Sequence, residues 1–297
     1  MRSLRYGLEG ALFGLALLLF RTLPVDWASA LGAQLGRRIG PHLNRLSDIA
    51  RRNLERAFPK LSAPAIEAIV LDMWDNLGRT LAEYPHLDTF YTNGRVEIVG
   101  AENVIRLRDD GIGGIFFSAH YGNWELLSLS LDHFGLPPIL VYRPANNPFS
   151  ERLIQLIRNR AHKTEGVEYI EKSNLGLRAM VKALRAHKHL AMLVDQKMNN
   201  GIPVDFFGYE AMTAPAIAQL ALKYRIPIVP AKMQRLGGTR FRITFFPPMA
   251  LDDYVDDDAG VAALMRRINV LFEKWISERP DHWLWIHNRW PKHDRNH

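Results

Sequence analysis

Cysteine is absent from the 297-residue sequence. This excludes a disulfide framework, a cysteine nucleophile and a cysteine-ligated zinc site. Three common catalytic signatures are also missing: the G-x-S-x-G nucleophile elbow, the G-x-x-x-x-G-K-[ST] phosphate loop and the H-E-x-x-H zinc helix. Gly111, Gly113 and Gly114 half resemble a dinucleotide fingerprint, but they precede a strand candidate instead of following one. No internal repeat, low-complexity tract or long Gly/Ser linker divides the chain.

An uninterrupted apolar run long enough to span a bilayer is lacking too. Gly10 to Phe20 is apolar throughout, but Glu9 interrupts it and Arg2, Arg5 and Arg21 flank it, whereas a spanning helix needs roughly 20 apolar residues. Arg21-Thr22-Leu23-Pro24 follows, with no small-residue cleavage site. The segment is expected either to span with help from Tyr6 to Leu8 or to lie as an anchor at the interface.

What is present is a substantial core: 47% hydrophobic and 23% charged residues, with a formal net charge of +7. Arg37, Arg38, Arg45, Arg51, Arg52, Arg56 and Lys60 follow the apolar segment, against only Asp48 and Glu55. Basic residues beside an anchor stay cytoplasmic and attract anionic headgroups. An anionic membrane surface is therefore the expected neighbour, and no nucleic acid is.

The rhythm of the chain divides it into three. Residues 1–23 read as the membrane anchor and 24–92 as a helical, membrane-proximal segment. In the latter, Ile66, Ile69, Val70, Met73, Trp74 and Leu77 recur with helical period before Pro85 ends the pattern. Residues 93–297 alternate apolar runs with amphipathic stretches, which predicts an α/β fold with a largely parallel central sheet flanked by helices. Strands are expected at Val96–Val99, Gly114–Ser118, Ile139–Tyr142, Val167–Ile170, Leu190–Val194, Ile228–Lys232 and Phe241–Phe246, the last after a Gly237-Gly238 turn that suggests an antiparallel pair. Helices are expected at Ala101–Asp109, Trp124–Phe134, Pro148–His162, Leu175–Ala186, Ala214–Tyr224 and Gly260–Glu278, with Asp258 as candidate cap of the last.

The stretch from Phe116 to Glu125 carries the chemistry. It runs from a buried strand into a helix, and His120 falls at the strand's carboxyl end, where open α/β folds build sites. Five helical residues rotate by about 500°, so a continuous helix would point His120 and Glu125 apart. With His120 in the loop, Asn123 caps the helix and Glu125, in its first turn, folds back to accept the imidazole N–H. The other ring nitrogen is then a free general base, since an unperturbed imidazole titrates near ~6.5. His187 and His189, in a basic helix end, read as structural rather than as metal ligands.

The chain resembles the lipid A biosynthesis acyltransferases, the late lauroyl and myristoyl transferase group within the H-x4-D/E glycerolipid acyltransferases. His120-Tyr121-Gly122-Asn123-Trp124-Glu125 matches the family's H-x4-E motif. Val141 to Pro148, including Arg143 and Asn147, resembles a second block, and Asp195-Gln196-Lys197 with Gly201 a third. Phe206-Phe207-Gly208 followed by Thr213 to Ala218 resembles the fourth, and Pro280 to Trp290 completes the set. H-x4-E alone is a weak signal; these blocks in this order are specific and cover most of the chain. One departure is Asp205, where the family commonly has Pro.

The resemblance implies a glycerolipid-acyltransferase-like fold, a thioester of acyl carrier protein as donor, a lipid A precursor as acceptor, and the cytoplasmic face of the bacterial inner membrane. It implies no cofactor and no metal. His120 would deprotonate the acceptor hydroxyl, Glu125 would steady the imidazolium, and no acyl-enzyme would form. Helix N-terminal N–H groups after Gly122, or an arginine, would meet the oxyanion. Asn123, Arg143, Asn147, Arg158, Arg160, Asp195, Gln196, Lys197, Phe207 and Gly208 are the candidate substrate-binding residues. Arg158 and Arg160 sit two apart on a helix, so only one is expected to point inward. Asp195 ends its own buried strand as His120 does, either to serve the site or to anchor Lys197 or an arginine. Competing expectations are a related acyltransferase with another acceptor, such as a lysophospholipid or phosphatidylinositol mannoside, and a catalytically idle membrane-binding protein.

Overall fold

The computed structural model describes residues 2–164 and 167–290. Four helices open the chain: α1 (Arg2–Thr22), α2 (Val25–Ile39), α3 (Asn44–Ala57) and α4 (Ala63–Glu83). The remainder runs β1 (Val96–Val99), α5 (Ala101–Asp109), β2 (Ile115–Ser118), α6 (Leu126–His133), β3 (Ile139–Tyr142), α7 (Pro148–Ala161), β4 (Tyr169–Glu171), α8 (Asn174–Arg185) and β5 (Leu190–Leu193). There follow β6 (Lys197–Phe206), β7 (Tyr209–Thr213), α9 (Ala216–Tyr224), β8 (Ile228–Gly237), β9 (Arg240–Phe245) and α10 (Asp258–Glu278).

Seven strands form one sheet in the order β1-β9-β8-β2-β5-β3-β4. Every pairing is parallel except β8 with β9, the hairpin that the Gly237-Gly238 turn foretells. β2 is buried along its whole length, as a central parallel strand covered on both faces must be, and its Ile-Phe-Phe run supplies apolar side chains to both layers. The expected α/β sheet is thus present, with helices on its faces.

The helical segment is built on close backbone crossing. A Cβ at Gly32 would lie 2.4 Å from the Gly78 carbonyl oxygen, and one at Gly36 2.1 Å from that of Trp74, so α2 and α4 approach only because these positions carry no side chain. Ile66, Val70, Met73 and Trp74 of α4 are buried, as their spacing requires. Pro85 falls in a 3-10 turn, Tyr84–Thr89, that follows the helix.

α1 lies against α7. Gly10 faces Phe149, Gly14 faces Leu153, and Leu17 is buried, while Leu8, Leu12, Leu15, Leu18 and Leu19 are exposed. Among the described residues no helix is long and apolar enough to cross a membrane.

One element is added to those expected and two local expectations are corrected. The Lys197–Thr213 region, to which the sequence pattern assigns no strand, is a separate antiparallel hairpin of β6 and β7; its Asn-Asn-Gly-Ile-Pro stretch lacks strand propensity, and its order comes from contacts with α10 and the chain's tail. The cap of α10 is Asp257, whose side chain accepts from Gly260 N. Asp258 is already the first helical residue. The helix expected from Trp124 begins at Leu126.

Candidate active site

Beyond β2 the chain turns away from the sheet at Gly122, whose φ is +61° and whose added Cβ would meet the Met233 carbonyl oxygen at 2.0 Å. Only glycine fits that left-handed, crowded position. The loop is held from both sides. Gly122 N donates to His282 O at 2.9 Å, Leu284 N donates to His120 O at 3.1 Å, and Asn76 Nδ2 of α4 donates to Gly122 O at 3.1 Å. His120 therefore stays in the loop, as expected, on a scaffold made by the tail and by α4.

The imidazole of His120 is oriented by Asp195, not by Glu125. Ser118 of β2 pairs with Leu193 of β5 in parallel register, so two residues further on His120 and Asp195 come abreast. Asp195 Oδ1 is 2.8 Å from His120 Nδ1, and Oδ2 accepts from His120 N at 2.9 Å and from Trp283 Nε1 at 2.8 Å. Burial alone would raise the Asp195 carboxyl. The charge of His120 and the hydrogen bonds from His120 and Trp283 outweigh it and hold the group well below the ordinary carboxylate range. An ionised acceptor on Nδ1 requires the proton there, which leaves Nε2 as the basic lone pair.

The expected return of Glu125 to His120 is not what the loop geometry allows. Trp124 stands beside His120, their ring centroids 5.3 Å apart, and Glu125 points to α7 instead. There Arg158 grips it through two bonds, Nε to Oε2 at 2.9 Å and Nη2 to Oε1 at 2.8 Å, and Tyr84 OH adds a third at 3.3 Å. Burial opposes ionisation of Glu125, but Arg158 and Tyr84 prevail and lower its pKa. The pair is nearly buried, with side-chain exposures of 8% and 17%; removing one partner of such a pair costs about 3–5 kcal/mol because the other charge is stranded.

A cavity of about 310 Å³ opens in front of His120, lined also by Trp124, Arg143, Arg158, Gln196 and His287. Arg143 and Gln196 thus lie at the site, and Arg158 braces Glu125. Arg160, as its spacing from Arg158 required, faces elsewhere, into a crevice between α1 and the Tyr84–Thr89 turn. Asn123 is not at the cavity: it is fully buried, donates to Glu83 Oε2 at 2.9 Å and accepts from Glu125 N at 3.3 Å. Asn147 is likewise structural, capping α7 by accepting from Phe149 N and reaching Tyr6 O of α1. Lys197 opens β6 and makes no bond to Asp195, whose carboxylate is taken by His120 and Trp283. Phe207 and Gly208 form the tip of the β6–β7 hairpin, where Phe207 adopts φ 55° and stacks edge-on against Phe58. Asp205, the departure from the family pattern, closes that tip by accepting from Gly208 N at 3.1 Å.

Three of the amides after Gly122 are not free for an oxyanion. Glu125 N bonds Asn123 Oδ1, Leu126 N bonds Asn123 O and Leu127 N bonds Trp124 O. The hydrogen-bonded turn that positions the loop consumes them.

Three contributions escaped the sequence. Trp283 donates to Asp195. His287 faces His120 across Gln196. A buried ion pair, Glu83 with Arg235 at 2.5 Å, also engages Asn76, Thr80 and Asn123 behind the loop. Their sequence signal is indirect: Trp283 and His287 belong to the tail block, and Glu83 follows Asn76 and Thr80 at helical spacing, a polar stripe on α4.

The family model described as bacterial lipid A biosynthesis acyltransferase matches residues 1–292. The chain is 29% identical over 292 residues to the lipid A biosynthesis palmitoleoyltransferase of Escherichia coli (strain K12), covering 93% of this chain and 89% of that protein. It is 25% identical over 279 residues to the lipid A biosynthesis lauroyltransferase of the same organism, covering 90% and 86%. A lipid A biosynthesis acyltransferase of Haemophilus influenzae (strain ATCC 51907 / DSM 11121 / KW20 / Rd) is 26% identical over 256 residues, covering 82% and 77%. With a match across nearly its whole length, the chain belongs to the bacterial lipid A biosynthesis acyltransferase family.

Proposed function

We propose that this protein transfers a fatty acyl chain from the thioester of an acyl carrier protein to a hydroxyl of a lipid A precursor. His120 is the general base. The observation that carries the reading is the 2.8 Å contact between His120 Nδ1 and the ionised Asp195, with the opposite nitrogen toward the cavity. The acceptor O–H gives its proton to Nε2, its oxygen attacks the thioester carbon, the C–S bond breaks, and the imidazolium returns the proton to sulfur. Asp195 stabilises the imidazolium and fixes the tautomer. Glu125 holds Arg158 in the cavity wall and adds negative field near His120. Arg143, at the rim, suits a phosphate of the acceptor.

The enzyme works at the cytoplasmic face of the inner membrane, lying on it through α1. The exposed leucines of α1, with the exposed Trp27 of α2, supply an apolar face. Exposed Arg38, Arg45 and Arg52 supply positive charge for anionic headgroups or for the acidic carrier protein. The deciding assay gives the purified protein acyl carrier proteins of several chain lengths and a tetraacylated, sugar-extended lipid A precursor. Transfer by wild type and its loss in His120→Ala are expected. Acylation of a lysophospholipid with no product on the lipid A precursor would overturn the acceptor.

A further inference from the structure

We propose that Gln196 is a catalytic residue whose side-chain N–H caps the base in the free enzyme and meets the thioester carbonyl oxygen during transfer, and that His287 is the positioning residue that aims it. The inference rests on the acyl-transfer reading above.

Gln196 Nε2 lies 3.2 Å from His120 Nε2 and 2.9 Å from His287 Nε2. The sense of these bonds follows from Asp195. Because its carboxylate takes the Nδ1 proton, His120 Nε2 is a bare lone pair, and only an N–H of the Gln196 amide satisfies it. Turning the amide over would set the Gln196 oxygen against that lone pair. The amide nitrogen carries two hydrogens, and the second goes to His287 Nε2. Burial, with the charges of His120 and Arg143, pushes the His287 imidazole below its ordinary range against the pull of Asp195. His287 is thereby kept neutral, as an acceptor of the Gln196 N–H must be. Its own place is fixed by Asn53 of α3, which donates to the carbonyls of both Trp285 and His287.

In this arrangement the base is masked until substrate arrives. The acceptor hydroxyl replaces the Gln196 N–H on His120 Nε2, and that N–H is released while the other stays on His287. The reacting carbon sits about 3 Å from the attacking oxygen, so its carbonyl oxygen comes within reach of the freed donor. Gln196 is the side-chain donor that stands beside the base in the cavity lining, whereas the amides of Gly122, Glu125, Leu126 and Leu127 are already bonded and Arg158 is held by Glu125. As the acceptor oxygen bonds to carbon, the carbonyl electrons move onto oxygen and face the Gln196 N–H. They return as the C–S bond breaks.

The test is steady-state kinetics with acyl carrier protein thioester and the tetraacylated, sugar-extended lipid A precursor, on wild type, His120→Ala, Gln196→Ala, Gln196→Glu, His287→Ala and the double variant. Loss of an oxyanion donor predicts a kcat lower by about 10²-fold in Gln196→Ala, with KM within about twofold of wild type. Gln196→Glu, of equal size, loses at least as much, because a carboxylate repels the oxyanion, and it serves as well if the alanine variant does not fold. His287→Ala loses about tenfold, and adding it to Gln196→Ala costs nothing further, since there is no amide left to aim. A Gln196→Ala enzyme with wild-type kcat, an effect confined to KM, or multiplicative losses in the double variant would each overturn the proposal. Absence of transfer by wild type, or full activity of His120→Ala, would instead remove the acyl-transfer reading and this inference with it.

Discussion

At the carboxyl ends of β2 and β5, His120 places one ring nitrogen on an ionised Asp195 and turns the other to a cavity. At the amino end of β5, His189 sits over Phe116 and donates through Nε2 to the Leu107 carbonyl oxygen. That end also has a cavity, about 370 Å³, lined by His162, His187 and His189, yet among the described residues no carboxylate hydrogen-bonds any of those rings. Burial pushes His189 below its ordinary range, and neither the Leu107 carbonyl nor the charge of Asp110, which makes no hydrogen bond to the ring, offsets it. The two ends show that an imidazole becomes a base when a charge awaits its protonated form. Parallel strands in register supply that charge only where their carboxyl ends lie side by side.

The sharpest way to break this contrast is to delete each imidazole. His120→Ala is expected to lower kcat by about 10³-fold or more, while His189→Ala leaves the rate of the folded enzyme unchanged; the transfer assay on both variants decides it. Next comes the charge behind the base. Asp195→Asn keeps shape but removes the stabilisation of the imidazolium, so kcat is expected to fall by about 10²-fold or more with little change in KM. Because the Asp195 pKa is depressed on folding, its contribution to stability is present above the ordinary carboxylate value of ~3.9 and is lost only as pH falls through a strongly acidic folded value. Wild type should therefore keep this contribution throughout the mildly acidic range, as acid unfolding followed by circular dichroism would register.

The scaffold behind the loop predicts a smaller, purely structural effect. Glu83→Ala strands the buried Arg235 and should cost about 3–5 kcal/mol in urea unfolding. The smallest effect concerns His282, beneath the loop. Burial lowers its pKa to about 4, against the pull of Asp281 and with Arg279, Arg235 and Lys232 adding to the shift. The unfolded chain binds this proton first, so stability should decline as pH drops from ~6.5 toward 4. His282→Asn should flatten that part of the profile; an unchanged slope would contradict the assignment.

Much of the fold was legible locally. β1, β3 and α5 fall where their patterns put them, because short apolar runs and helical periodicity report burial directly. The β6–β7 hairpin was not, since its polar, Gly- and Pro-bearing first half is held by distant partners: Asn269 of α10 bonds Asp205 O, and Arg289 of the tail bonds Met212 O. The site divides in the same way. His120 and its loop position could be read from the strand-to-helix transition, and the separation of Arg158 from Arg160 from helical spacing. The partner of His120 could not, because Asp195 lies 75 residues away along the chain and meets it only through the β2–β5 register.

By itself, then, the sequence determined which chemical groups were available: one imidazole at a strand end, no cysteine, two carboxylates in the right blocks, and an alternation that makes a parallel sheet. Which carboxylate serves which cation was settled by tertiary structure alone. Glu125 is near His120 in sequence, but the turn at Gly122 and the bulk of Trp124 send it to Arg158, while sheet register delivers Asp195. Short spacing constrains direction only within one continuous element, and across a turn the packing of neighbouring elements sets where a side chain points.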